Sequence, residues 1–334
     1  MEKTRILMTR SLLPVDQNYI TNGLKEAVGD SFELIAPETY DEQGILSVVE
    51  KADILLGPYV TKKILAKGKN IKLIQVPWTG MDTFDFSVME GVDVPVCNSH
   101  SNADAVAEFC IAMVTDLLKK VSYHDRKMRN GNWNRDKIPL GLTSGMISGQ
   151  TVCILGYGKI GGRIGKLLSA FGAHILAVTE REKAYLNGEI GYNSFNMIEA
   201  VAKATIVINT LPLTDSTRGL ISNNFISQMR DGSYLINISR ASVVDEDAVY
   251  EALVNGRLAG FASDVWWNAP RRGDSQSWPS THNKFEDLDQ VVLSPHRAGF
   301  VENAYPHLDD VIVNLTHFIK GEPLINRVDV LRMF

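Results

Sequence analysis

The chain has 334 residues, 45% of them hydrophobic, which is enough apolar material for about two buried cores. A formal net charge of −5 with no basic stripe excludes a nucleic-acid surface. The first residues, Met1-Glu-Lys-Thr-Arg-Ile-Leu, carry no signal-peptide apolar run, and no segment is long enough to span a bilayer; a cytoplasmic protein with no membrane partner is expected.

Short apolar runs open the chain at 5–8, 32–35, 53–56, 71–76 and 94–97, with amphipathic stretches at 45–51 and 61–67 between them. This βα alternation predicts a parallel sheet covered by helices. A long helix is predicted from Ala103 to Met128, followed by Trp133 as a packing residue. A second βα series has strands at 152–155, 175–178, 206–210, 234–238, 259–262 and 291–293, and residues 304–320 read as a last helix. Cys97, Cys110 and Cys153 are odd in number and lie among apolar residues. They read as reduced core thiols, and no histidine has metal-ligand spacing, so no metal is expected.

Gly156-Tyr157-Gly158-Lys159-Ile160-Gly161 follows the first strand of the second series and opens an apolar-spaced helix over 162–171. Strand, tight turn and helix are the setting in which this glycine spacing binds a dinucleotide. Gly156 allows the turn, Gly158 admits the pyrophosphate, Gly161 lets helix and strand approach, and the helix N-terminus faces the phosphate charge. Arg240, Asp264 and His296 each stand just past the C-terminal end of a predicted strand of the same series. Open parallel sheets bind ligands at that edge, so three charged or titratable residues there point to function.

Over nearly its whole length the chain resembles the D-isomer-specific 2-hydroxyacid dehydrogenases. The resemblance rests on Ile71-Lys-Leu-Ile with Thr79-Gly80-Met-Asp82, Val94-Pro-Val-Cys-Asn98 with Ala105-Val106-Ala107-Glu108, and Leu211-Pro212-Leu213-Thr214 with Thr217. It continues through Asn237-Ile238-Ser239-Arg240-Ala-Ser-Val-Val-Asp245, Ser294-Pro295-His296-Arg-Ala298-Gly299 and Gly321-Glu-Pro. The resemblance implies an α/β protein of two Rossmann-like or flavodoxin-like parallel-sheet domains with a cleft between them. The substrate domain would be discontinuous, 1–99 plus 300–334, with a dinucleotide-binding domain over 100–299. It also implies a homodimer to which the 103–128 helix contributes.

The roles follow from the same resemblance. His296 moves the hydroxyl proton, and Arg240 grips the carboxylate and polarises the carbonyl. Backbone N–H groups of Thr79 and Gly80 hold the carboxylate, while Trp78, His100 and the pair Trp266-Trp267 are candidates to line the substrate pocket. The glycine turn from Gly156 to Gly161, together with Leu211, Pro212, Thr217, Ile238, Ser239, Asp264 and Ala298, holds the cofactor. Val106 packs on the nicotinamide. The cofactor is NAD, with NADP possible. Thr179 occupies the ribose-binding slot by ungapped count, a neighbouring Glu180 favours NAD, and Arg181 could instead accept a 2′-phosphate.

One departure stands out. The family usually places a glutamate five residues after the aspartate at Asp264, where it raises the pKa of the catalytic histidine. Here that slot is Ala269. Either Asn268, Asp274, Glu286 or Asp287 supports His296, or His296 works unassisted with its carbonyl-reduction limb at more acidic pH. The expected activity is hydride transfer between NAD(P) and a D-2-hydroxy or 2-oxo acid. The alternative is an NAD(H)-sensing binding protein with the dehydrogenase fold and little turnover.

Overall fold

The short apolar runs become strands because helices cover both of their faces. The computed structural model describes residues 3–133, 144–180, 190–192, 196–270, 274, 276–302 and 304–333. They fall into two compact units, Met1–Asn102 with Gly299–Phe334, and Ala103–Ala298.

In the first unit β1 (Thr4–Met8), β2 (Phe32–Ile35), β3 (Ile54–Leu56), β4 (Leu73–Gln75) and β5 (Val96–Cys97) form a parallel sheet in the order β2-β1-β3-β4-β5. Successive side chains point to opposite faces. Ile6, Met8, Ile54, Leu56 and Leu73 pack with Ile20 and Leu24 of α1 (Pro14–Val28) and with Leu308, Val311 and Leu315 of α10 (Pro306–Lys320). Leu7, Leu55, Ile74 and Val96 pack with Ile45 of α2 (Glu42–Val48) and Ile64 of α3 (Lys62–Lys67). Buried Asn314 of α10 donates from Nδ2 to Oε1 of buried Gln75 at 2.8 Å, pinning the C-terminal helix to the end of β4. That bond satisfies two amides whose unpaired burial would cost a few kcal/mol.

The second unit holds α4 (Ala103–Lys119), α5 (Val121–Arg129) and a seven-stranded parallel sheet. Its strands are β6 (Thr151–Leu155), β7 (His174–Val178), β8 (Ile190–Tyr192), β9 (Ile206–Asn209), β10 (Ser233–Asn237), β11 (Leu258–Ser263) and β12 (Val291–Leu293). Their order is β12-β11-β10-β9-β6-β7-β8. One face packs against α4 and α6 (Lys159–Ala170). The other packs against α7 (Met197–Lys203), α8 (Asn223–Gln228) and α9 (Glu246–Val254). After β7 and β8 the chain crosses to the opposite side of β6 to form β9. The C-terminal end of β6 is therefore a point where strand order reverses, the usual ligand position in such sheets.

Several expectations need correction. The helix predicted over 103–128 is two helices. Lys120 between them is left-handed, with φ 54° and ψ 37°. Asp116 secures the break by accepting from the Ser122 N–H at 2.7 Å. Trp133 does not pack; it is 77% exposed. Trp266 and Trp267 are half-buried and pack around Phe285 beneath α9, at ring-centroid distances of 5.7 and 5.4 Å. Their indole N–H groups donate to the carbonyls of Ser294 (2.9 Å) and Val244 (3.0 Å), which fixes both rings. The three cysteines are free and buried. Burial pushes the Cys110 and Cys153 thiols up to about 12 and Cys97 up to about 11, so none is a ready nucleophile.

Candidate active site

The glycine turn lies at the reversal point beside β6. Gly156 has φ +89°, a conformation that carries little penalty only in glycine. Its N–H and that of Tyr157 both donate to the Val178 carbonyl at 3.0 Å, clamping the turn to the end of β7. A Cβ on Gly161 would stand 2.3 Å from the Gly156 carbonyl oxygen and 3.1 Å from Ile154, so the first turn of α6 can rest on β6 only with glycine there. At Gly158 a Cβ would meet no heavy atom within 4 Å. Gly158 and Lys159 are exposed at the start of α6, with Ile160 half-buried behind them. Open space, a helix N-terminus and a backbone free of side-chain bulk together suit a pyrophosphate. The Tyr157 side chain is buried over α6, close to Gly165.

The loops after β9 and β10 are tied to this turn by buried amides. Thr210 Oγ1 donates to the Gly156 carbonyl at 2.5 Å. Asn209 Nδ2 donates to Asn237 Oδ1 at 3.0 Å, and Asn209 Oδ1 accepts from the Leu211 N–H at 3.2 Å. Asn237 Oδ1 also accepts from the Ser239 N–H, and its Nδ2 donates to the Arg240 carbonyl at 3.1 Å. Ser239 Oγ bonds the Leu211 carbonyl, and Thr217 Oγ1 bonds that of Pro212 at 2.6 Å. Asn209 and Asn237 are fully buried. The sequence alone assigns no role to Asn209, nor to Asn237 within its motif, although each is the polar residue that closes its strand, Ile-Val-Ile-Asn and Ser-Tyr-Leu-Ile-Asn. Arg240 itself is half-buried, with Nη1 donating to the Ser239 carbonyl at 2.9 Å.

Asp264, expected beside the cofactor, organises the histidine loop. It is 2% exposed and its carboxylate accepts from Ser294 Oγ, from the Arg297 N–H at 2.7 Å and from the Ala298 N–H at 3.0 Å. Between those anchors His296 is held at φ +57°, an uncommon conformation for a residue with a side chain, and it is exposed. Val106, Ile238 and Ala298 share one apolar cluster with Tyr157. Ala269 is exposed. The Asn268 amide donates to the Trp278 carbonyl at 3.2 Å, which engages it within its own loop. Glu286 keeps one buried carboxylate oxygen without a partner among the described residues. Thr179 and Glu180 directly follow β7, half-buried and exposed respectively. Arg181 lies outside the described residues.

On the first unit, Trp78, Thr79 and Gly80 follow β4 and His100 follows β5. The Ser99 N–H donates to the Trp78 carbonyl at 3.2 Å, Asn98 Nδ2 to the Thr79 carbonyl at 2.8 Å, and Thr79 Oγ1 to Asn102 at 3.0 Å. The His100 N–H donates to Asp310 at 2.7 Å. Among the described residues no group of three His, Cys, Asp or Glu side chains could hold a metal ion, and no helix is long and apolar enough to cross a membrane.

The family profile described as D-isomer specific 2-hydroxyacid dehydrogenase, NAD binding domain, matches residues 111–298. D-3-phosphoglycerate dehydrogenase of Archaeoglobus fulgidus is 28% identical over 273 residues, which are 81% of this chain and 50% of that protein. The chain thus spans about half the length of that relative. Glyoxylate reductase of Thermofilum pendens is 29% identical over 286 residues, 84% of this chain and 81% of that one. A crystal structure of a Pyrococcus horikoshii protein superposes with a TM-score of 0.81 at 25% identity, covering 99% of this chain and 97% of that one. The profile takes in more than half of the sequence, and the chain belongs to the D-isomer specific 2-hydroxyacid dehydrogenases, with residues 111–298 as its NAD-binding domain.

Proposed function

We propose that the chain interconverts a D-2-hydroxy acid and the corresponding 2-oxo acid, with His296 as general acid/base and Arg240 as the carboxylate and carbonyl ligand. One observation carries this reading: Arg240 and His296 sit on the loops after β10 and β12, at the sheet edge that bears the glycine turn. Two strand spacings, about 10 Å, separate those strand ends, a gap that a guanidinium and an imidazole can close on a three-carbon acid. Bound nicotinamide supplies the hydride acceptor or donor. In reduction His296 protonates the ketone oxygen, and in oxidation it takes the hydroxyl proton. Arg240 forks onto the carboxylate and stabilises charge on the carbonyl oxygen. We assign the backbone N–H groups of Thr79 and Gly80 to substrate binding, and Val106, Ile238 and Ala298 to the apolar wall of the nicotinamide. The test is a panel of glyoxylate, hydroxypyruvate, pyruvate and bulkier 2-oxo acids with NADH and NADPH. Turnover of at least one pair is expected. Tight cofactor binding with no oxidation across the panel would overturn the reading in favour of a dinucleotide sensor.

For the cofactor, we infer that Glu180 selects NAD by accepting hydrogen bonds from the adenosine ribose hydroxyls. Its support is position: it lies two residues past β7, the strand whose last carbonyl clamps the glycine turn. Glu180→Ala is expected to cut the NADH-over-NADPH ratio of kcat/KM by about tenfold, the effect of one or two hydrogen bonds plus a removed repulsion. An unchanged ratio would assign the choice elsewhere.

A further inference from the structure

The last residues of four strands in the second unit lie side by side, and three of them are polar and buried. Parallel register pairs Leu155 of β6 with Asn209 of β9, Asn209 with Asn237 of β10, and Asn237 with Ser263 of β11. Register partners project from the same face of a sheet. Asn209, Asn237 and Ser263 are fully buried, at positions where an aliphatic side chain would bring no polar group to satisfy. The loops that follow β9 and β10 carry Leu211-Pro212 and Ser239-Arg240.

The partners of the two amides settle which way each one faces. Asn237 Nδ2 donates to the Arg240 carbonyl at 3.1 Å, a partner that the amide oxygen could not meet. Asn237 Oδ1 therefore faces Asn209 Nδ2 at 3.0 Å and the Ser239 N–H at 3.2 Å. Asn209 Oδ1 in turn accepts from the Leu211 N–H at 3.2 Å. The Arg240 carbonyl takes a second bond from the Val243 N–H at 3.3 Å, and Arg240 Nη1 returns to the Ser239 carbonyl at 2.9 Å. Asn237 thus places the backbone from which the guanidinium springs, and Asn209 fixes the orientation of Asn237. Thr210, next to Asn209, bonds the carbonyls of Leu155 and Gly156, so the same strand end also holds the glycine turn.

We propose that Asn237 is a positioning residue for Arg240, and that Asn209 holds the Asn237 amide in the orientation this requires. The proposal rests on the assignment of Arg240 to the 2-oxo acid made above and deepens it. Neither asparagine has exposed surface with which to meet a ligand, so both act through the Arg240 backbone.

Such a device has a chemical signature. Asn209→Asp keeps the shape of the side chain. Protonated, the new carboxyl donates to Asn237 Oδ1 and leaves the row as it was. Ionised, it offers only acceptors, and Asn237 must turn Nδ2 towards them. The turned amide then presents its oxygen to the Arg240 carbonyl, and the anchor is lost. Burial disfavours the charged carboxylate, so the protonated form persists in acid. The kcat/KM of this variant for a 2-oxo acid should approach that of the parent at low pH. It should fall about tenfold below the parent as pH rises through the ionisation, the effect of one lost buried hydrogen bond. Asn209→Leu, with no charge to turn the amide, should lose less than Asn209→Asp at high pH.

The test repeats Asn237→Ala and Asn209→Asp in an Arg240→Gln background. A residue that acts only through the guanidinium has nothing left to position there, so each substitution should then change kcat/KM by less than about twofold. Losses that persist in full in that background, or an Asn209→Asp profile parallel to that of the parent, overturn the proposal. Amide hydrogen exchange gives a readout that needs no turnover. Protection at Ser239 should fall in Asn237→Ala, and in Asn209→Asp it should fall with rising pH relative to the parent. If Arg240→Gln leaves kcat/KM unchanged while Ser239 protection behaves in this way, the substrate role of Arg240 fails and the amide linkage to its loop stands. If Arg240→Gln is impaired but Ser239 protection does not move, the amide linkage alone is overturned.

Discussion

Replacing Arg240 with glutamine should lower kcat/KM for 2-oxo acid reduction by about 10²–10³-fold, the usual cost of removing a group that meets charge developing in the transition state. Glutamine keeps a side chain of similar reach and one amide donor, but loses the fork and the positive charge. Both KM and kcat should suffer, because in the proposed role the guanidinium serves the carboxylate in the ground state and the carbonyl oxygen in the transition state. Reduced-cofactor affinity should stay near that of the parent, since the phosphate turn lies at β6, two strands away from β10. His296→Asn should cost about 10²–10⁴-fold, mainly in kcat, as loss of general acid catalysis does. The double variant should fall short of the sum if, as proposed, the two groups act on one carbonyl. Steady-state kinetics with fluorescence titration of reduced cofactor separates these effects. A fall in cofactor affinity matching the fall in kcat/KM would reassign Arg240 to the cofactor.

The glycine turn offers a sharper structural contrast, because two adjacent glycines face opposite surroundings. A Cβ at Gly161 would come 2.3 Å from the Gly156 carbonyl oxygen, whereas at Gly162 it would lie 3.7 Å from the Tyr157 ring, ordinary contact. Gly161→Ala must therefore push the start of α6 away from β6 or deform the Gly156 turn. Overpacking of this kind costs about 1–3 kcal/mol, and a larger side chain costs more. The melting transition should fall by roughly 2–4 °C per kcal/mol for a domain of this size. Cofactor affinity should drop by about tenfold or more, because the displaced helix N-terminus no longer meets the pyrophosphate. Gly162→Ala lies inside α6 and gains helix propensity, so it should match or exceed the parent in stability and keep its cofactor affinity. Differential scanning calorimetry and cofactor titration of the two variants check the pair. Equal tolerance at both positions would mean that the turn is not packed as described.

Much of this architecture was legible in the chain. Strands buried on both faces appear as bare apolar runs, and each predicted run, from 5–8 to 291–293, contains or overlaps a strand. Two of the elements that escaped carry weak patterns. α1 buries only Ile20 and Leu24 in fifteen residues, and β8 is three residues long at the sheet edge. The break at Lys120 has no glycine or proline to announce it. The strand-end positions of Arg240, Asp264 and His296 could be counted from the sequence, because the edge of a parallel sheet follows from where the apolar runs stop. What Asp264 does there could not be counted: its partners lie 30–34 residues further along the chain. The packing of Trp266 and Trp267 on Phe285 was hidden for the same reason.

The most direct measurement is reduction of hydroxypyruvate with NADH by the intact chain, with chiral analysis of the glycerate formed. Turnover yielding the D-enantiomer, and its loss in His296→Asn, is the predicted outcome. An L-product, or turnover untouched by that substitution, would contradict the assignment of proton transfer to the histidine loop.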